Sequence, residues 1–80
     1  MQKTVDGELY DTETAKGVFL EPTYESSLFL TKNNRWFFLD HLKSYEEIRP
    51  VPDEKAKDFL CAVGAIEKIK EYFPDSIEDV

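Results

Sequence analysis

Eighty residues confine the chain to one domain, 1–80, and a domain this small buries only about 60–65% of its unfolded surface, so it must pack well to fold. With 41% apolar residues and eleven aromatics there is material for one real core, which argues against a disordered chain despite 34% charged residues. Seventeen acids against ten bases leave a net charge of −7, which disfavours nucleic acid and anionic membrane and favours basic protein surfaces.

No stretch approaches the roughly 20 apolar residues needed to span a bilayer, and Met1–Asp6 is too polar for a secretory leader. The lone cysteine, Cys61, precludes an intrachain disulfide and suits a reducing, cytoplasmic setting. Charge is unevenly placed: residues 1–30 and 51–80 each carry −4, while residues 31–50 carry +1. Two acidic ends thus flank a near-neutral aromatic middle.

Gly7–Thr12 alternates and predicts a strand. Thr12–Lys16 is either a helical turn capped by Asp11 or a polar turn. Val18–Glu21, ended by Pro22, suits an edge strand. Tyr24–Thr31 and Arg35–Asp40 predict a hairpin, with Asn33-Asn34 as a two-residue type I′ loop. That loop pairs Thr31 with Trp36, Leu30 with Phe37, Phe29 with Phe38 and Leu28 with Leu39. After a connection over His41–Tyr45, Glu46–Val51 adds a last edge strand.

Pro52 at the first helical position, with Asp53 and Glu54 in the first turn, starts a helix. Ala56, Phe59, Leu60 and Val63 form its inward stripe, Cys61 reads as a small buried hydrophobe beside that stripe, and Gly64 ends it. Ile66, Ile69 and Phe73 repeat the stripe in a second helix closed by Pro74, and Asp75–Val80 should fray. The expected fold is α+β: a three- to four-stranded antiparallel sheet with two short C-terminal helices packed on one face.

In this register one sheet face holds Tyr24, Leu28, Leu30, Phe37 and Leu39 and seats the helices. The other holds Phe29, Trp36 and Phe38. Either Leu9, Val18 and Leu20 fold over that face, or it is an exposed aromatic surface for a protein partner or a second copy of the chain. The acids Asp53, Glu54, Asp58, Glu67 and Glu71 should point outward from the helices, interrupted by Lys55, Lys57, Lys68 and Lys70, and form either an acidic partner surface or an ordinary salt-bridged helix face.

Catalytic signals are sparse. His41 is the only histidine, and its neighbour Asp40 should face the opposite side of a strand, so no acid–base pair is expected. One His and one Cys give no metal-ligand spacing, and no glycine-rich phosphate loop suggests a cofactor. The chain therefore reads as non-enzymatic, without cofactor or metal. An alternative is a nucleic-acid-binding regulator in which Lys32, Arg35, Lys43 and Arg49 cluster around Trp36 to clamp a single strand. The net charge argues against that alternative.

Two stretches carry a resemblance. "YDTETA" at 10–15 and "LFLTKNNRWFF" at 28–38 resemble a family of small proteins of unknown function encoded by bacterial phages and integrated mobile elements. That family shares a Tyr-Asp/Asn-Thr-Glu-Thr-Ala segment, a hairpin with Thr-Lys before Trp-Phe, and a C-terminal acidic helix similar to "PDEKAKDFL". Relatives carry a glycine-rich loop where this chain has His41–Tyr45, and no catalytic residues are known to carry over. The resemblance implies an acidic protein carried by a mobile element. Such proteins often inhibit host defence, anti-CRISPR proteins among them, by occupying the basic channel of a nucleic-acid-binding effector complex.

Overall fold

The computed structural model describes residues 1–77. Its first turn follows from Asp6-Gly7: both take positive φ, 51° and 78°, as a type I′ loop demands, and Gly7 has no Cβ to oppose it. The turn joins β1 (Gln2–Val5) to β2 (Glu8–Asp11), antiparallel, with Val5 opposite Glu8. Asp11 ends the strand with a polar turn. Its Oδ1 accepts the Glu13 N–H at 2.9 Å and its carbonyl accepts the Ala15 N–H at 3.0 Å.

β3 (Lys16–Phe19), β4 (Ser26–Leu30), β5 (Trp36–His41) and β6 (Glu46–Val51) form an antiparallel meander in chain order. The register of β3 shifts between Gly17 and Phe19, and Val18 and Phe19 both join the helix-side core. Pro50 is tolerated in β6 because that strand is an edge. Part of the edge is closed by Lys3, whose Nζ donates to the Ile48 carbonyl at 3.2 Å.

α1 (Asp53–Ala62) begins one residue later than expected, with Pro52 as its cap and Asp53 and Glu54 in the first turn. It ends in a Schellman motif. The Gly64 N–H donates to the Cys61 carbonyl at 3.1 Å and the Ala65 N–H to the Leu60 carbonyl at 3.0 Å. Gly64 takes φ 73° to make this reversal. α2 (Ile66–Tyr72) follows, then a 3₁₀ turn at Pro74–Ser76. Asp75 and Ser76, expected to fray, are held in that turn; residues 78–80 lie outside the described range. The α+β expectation is met; the expected strand over 7–12 is β2, and the unexpected feature is β1, which pairs with it as a separate two-stranded sheet.

The β4–β5 connection departs from the two-residue loop. The Thr31 N–H donates to the Arg35 carbonyl at 2.8 Å, so Lys32, Asn33 and Asn34 form a three-residue loop. The Asn34 N–H reaches the Thr31 carbonyl at 3.0 Å, and Asn34 takes φ 61°. This is a type I turn followed by a left-handed residue, a role Asn tolerates. The longer loop slides the register by one. Leu30 pairs with Trp36, Phe29 with Phe37 and Leu28 with Phe38. Side chains alternate along a strand, so a slip of one turns β5 over relative to β4.

Both faces are therefore core. Val18, Leu28, Trp36, Phe38, Ala56, Leu60 and Ile69 form the helix-side cluster. Within it Phe38 meets Phe59 edge-on at 4.9 Å, and Trp36 stacks on Phe73 at 5.4 Å. On the other face Tyr10 covers Phe29, Phe37 and Ile48, with Val5, Ala15 and Leu39 alongside. Phe29 stacks on Phe37 at 5.1 Å and Tyr10 meets Phe37 edge-on at 5.7 Å.

The expected aromatic surface is thereby corrected. Phe29, Trp36 and Phe38 are 8%, 5% and 5% exposed, and Phe29 lies on the face opposite Trp36 and Phe38. The N-terminal segment does cover Phe29, but through Val5, Tyr10 and Ala15; Leu9 and Leu20 are exposed, and Val18 lies on the helix side. Cys61 is exposed rather than buried, because it falls between turns of the inward stripe. Ile66, at the start of α2, is also exposed.

Tryptophan emission of the monomer should be strongly blue-shifted, and Phe37→Ala should cost about 3–5 kcal/mol in urea denaturation. Emission like that of free tryptophan would refute this placement of Trp36.

Candidate functional site

With both sheet faces covered, chemistry must lie on the outer helix surface or at the sheet ends. At about 100° per residue, α1 turns Ala56 and Leu60 inward and Glu54, Asp58 and Cys61 outward. Asp53, Glu54, Asp58, Glu67 and Glu71 are all exposed. Among the described residues the first four make no ion pair. Glu71 differs: its carboxylate sits 3.4 Å from Lys16 Nζ, and that hydrogen bond holds it below the usual carboxylate range.

Asp53 and Glu54 also line a groove of about 340 Å³ with Lys57, Phe73 and Ser76. Asp58, Glu67 and Glu71 lie outside its lining. Phe73, stacked on Trp36, supplies its aromatic wall. Phe73, expected in the inward stripe of α2, instead follows that helix just before Pro74.

The four basic residues do not assemble. Lys32 and Arg35 sit at the β4–β5 loop, whereas Lys43 lies in the β5–β6 turn at the other end of β5. Arg35 Nε donates to Glu8 Oε1 at 3.2 Å. Arg49 is held by Asp40, with its guanidinium 4.8 Å from the Phe38 ring centroid. Trp36, their expected centre, is buried. The single-strand clamp is thereby corrected: β5 separates the charges and the register buries the ring.

Asp40 and His41 point to opposite faces, and each anchors a polar row across three strands. On the helix side, Ser26 Oγ donates to Asp40 Oδ1 at 2.6 Å, and Arg49 donates through Nε at 2.8 Å and Nη2 at 3.2 Å. Burial pushes the Asp40 carboxyl up, but the Arg49 and Ser26 hydrogen bonds and the Arg49 charge outweigh it and leave the carboxyl below its ordinary value of 3.8. On the hairpin side, His41 Nδ1 lies 2.6 Å from Glu46 Oε2 and His41 Nε2 lies 3.0 Å from Ser27 Oγ.

Ser27–His41–Glu46 has the connectivity of a nucleophile, a base and an orienting carboxylate. Ser27, however, is 6% exposed, which shields its hydroxyl from an acyl substrate. The row works as a clasp on β4, β5 and β6. Sequence reasoning missed it because the correct register is needed to place Ser27 and Glu46 on the face of His41.

Two measurements check these rows. His41→Ala strands the buried Ser27 hydroxyl and should cost about 1–3 kcal/mol in urea denaturation. The Asp40 contribution to stability is complete above its unfolded value of 3.8 and is lost as pH falls through the lower folded value. Asp40→Asn should flatten that acid limb of the stability–pH curve and leave its shape above about pH 5 unchanged.

No family model, curated protein or solved structure matches the chain.

Proposed function

We propose that the chain is a non-enzymatic protein-binding domain that engages a basic partner through the outer surface of α1 and the groove at its start. One observation carries this reading: Asp53 and Glu54, without ion pairs among the described residues, share a groove with the Phe73 ring and outnumber its one cation, Lys57. Such a groove accepts a lysine or arginine side chain, with its charge at the carboxylates and its stem or guanidinium on the aromatic ring. Glu54 and Asp58 extend the acidic surface along the outward stripe. Acids in a first helical turn also complement the helix dipole, a contribution of about 0.3–1 kcal/mol. That role accounts for their stability effect but leaves their electrostatic reach to a partner intact.

The inhibitor reading extends this. A partner that is a nucleic-acid-binding effector of host defence would present a basic channel for the acidic surface to occupy, and the resemblance of 10–15 and 28–38 supports that setting. Charge complementarity of this kind speeds encounter and is screened by salt.

The test begins with capture of the partner from host lysate and its identification by mass spectrometry. Its affinity for the wild type and for Asp53→Lys with Glu54→Lys is then measured at two salt concentrations. The double reversal should weaken binding at least tenfold, about 1.4 kcal/mol, with the wild-type affinity falling as salt rises. Glu71→Lys is a poorer probe, since it also breaks the Lys16 contact. Equal affinities with no salt dependence would reduce the acidic surface to a solubility device.

A further inference from the structure

The β1–β2 hairpin and the β4–β5 loop meet at one end of the molecule, and a cleft of about 270 Å³ opens between them. Glu8, Tyr10 and Asp11 line one wall; Lys32, Asn33 and Arg35 line the other. The cleft holds charges of both signs, so its preference depends on which of them are already engaged.

Both carboxylates are engaged. Asp11 takes one hydrogen bond from Gln2 Nε2 at 2.9 Å and another from the Glu13 N–H at 2.9 Å. Glu8 accepts the Tyr10 hydroxyl at 3.0 Å on one oxygen and Arg35 Nε at 3.2 Å on the other. The Thr31 hydroxyl accepts the Arg35 N–H at 3.0 Å. Several donors, by contrast, have no partner among the described residues. Among the described residues the Lys32 ammonium makes no ion pair or hydrogen bond, and neither does the Asn33 amide. Only Nε of Arg35 is used, so its two terminal nitrogens keep four N–H groups. The Glu8 contact through Nε leaves those terminal nitrogens turned away from the carboxylate, and the planar fork they form matches a carboxylate or phosphate.

We infer that this cleft binds a small ligand through an anionic group, a carboxylate or a phosphate, held by Lys32 and the terminal nitrogens of Arg35. Size supports a small ligand: the volume lies just below the range of about 300–1,000 Å³ for drug-sized sites. The lining is formally balanced, Lys32 and Arg35 against Glu8 and Asp11, so the unpartnered donors and not the local net charge set the preference. A net −7 opposes a polyanionic strand along its length, while a single anionic group feels mainly the local donors.

The experiment is an amide-resolved NMR titration of the full chain with inorganic phosphate, with acetate, and with a single-stranded oligonucleotide. Phosphate or acetate should give saturable shifts confined to residues 7–11 and 31–35, with a Kd of about 1 mM or tighter. Whichever saturates assigns the anion as phosphate or carboxylate. Lys32→Met should weaken binding at least tenfold with no loss of fold, since Lys32 holds nothing else among the described residues. Arg35→Lys, which keeps the charge but removes the fork, should also weaken it. Linear or scattered shifts with both small anions would overturn the inference, as would unchanged affinity in Lys32→Met. Tighter, steeply salt-dependent binding of the oligonucleotide at these residues would replace it with a strand-binding reading.

Discussion

The whole arrangement depends on one backbone conformation, that of Asn34. Its left-handed φ of 61° completes a three-residue loop between Thr31 and Arg35, and that loop sets which residues of β4 and β5 are opposite. In the resulting register Trp36 and Phe38 join Leu28 on one face, and Phe37 joins Phe29 on the other. A sheet so apolar on both sides is an aggregation hazard unless both sides are covered. Two helices cover one; the β1–β2 hairpin, anchored by Tyr10 on Phe37, covers the other. The hairpin is thus a structural necessity of the register.

Much of this was legible in the residues. Glu46–Val51, the amphipathic stripe after Pro52, the stop at Gly64 and the closing role of Pro74 all follow from local chemistry and recur in the fold. The missed features have identifiable reasons. β1 is polar and exposed along most of its length, so it carries little periodic signal. Asp6-Gly7 after Val5 was nonetheless a strong two-residue hairpin signal, and reading it would have supplied the second cover. Asn33-Asn34 is compatible with either loop length, and nothing local decides between them. What decides is tertiary: the helix stripe needs Trp36 and Phe38, and Tyr10 needs Phe37. The candidate sites inherited that error. Residues placed by helical spacing, Asp53 and Glu54, remain on a surface, while Phe29, Trp36 and Phe38, placed by register, do not.

Ion pairs explain where the remaining charge lies. Lys3 reaches Glu47, Lys16 reaches Glu71, Arg35 reaches Glu8 and Arg49 reaches Asp40, each joining different elements. Exposed pairs of this kind contribute little, about 0–1 kcal/mol. Only Asp40–Arg49, two-pronged and partly sheltered, is expected to do more. Their larger effect is on what is left over. Among the described residues three bases, Lys3, Lys16 and Arg35, tie layers together and Arg49 ties β6 to β5, while on α1 Asp53, Glu54 and Asp58 make no ion pair and neither do Lys55 and Lys57.

The pairing of Trp36 with Val51 brings the start of α1 to the same end of the sheet as the β4–β5 loop. The acidic groove and the donor-rich cleft therefore lie back to back across β5. Phe73 lines the groove and stacks on Trp36; Tyr10 lines the cleft and packs on Phe37. Consecutive residues of one strand thus support the two sites from opposite faces. Each site takes its rigidity from the packed sheet and its chemistry from a turn or helix end, the usual division between scaffold and functional segment. A slip of β5 by one residue would exchange Trp36 and Phe37 between faces, leaving Phe73 without its stacking partner and Tyr10 over an indole. Groove and cleft would fail together, because both rest on the one β4–β5 register that the Asn34 loop accommodates.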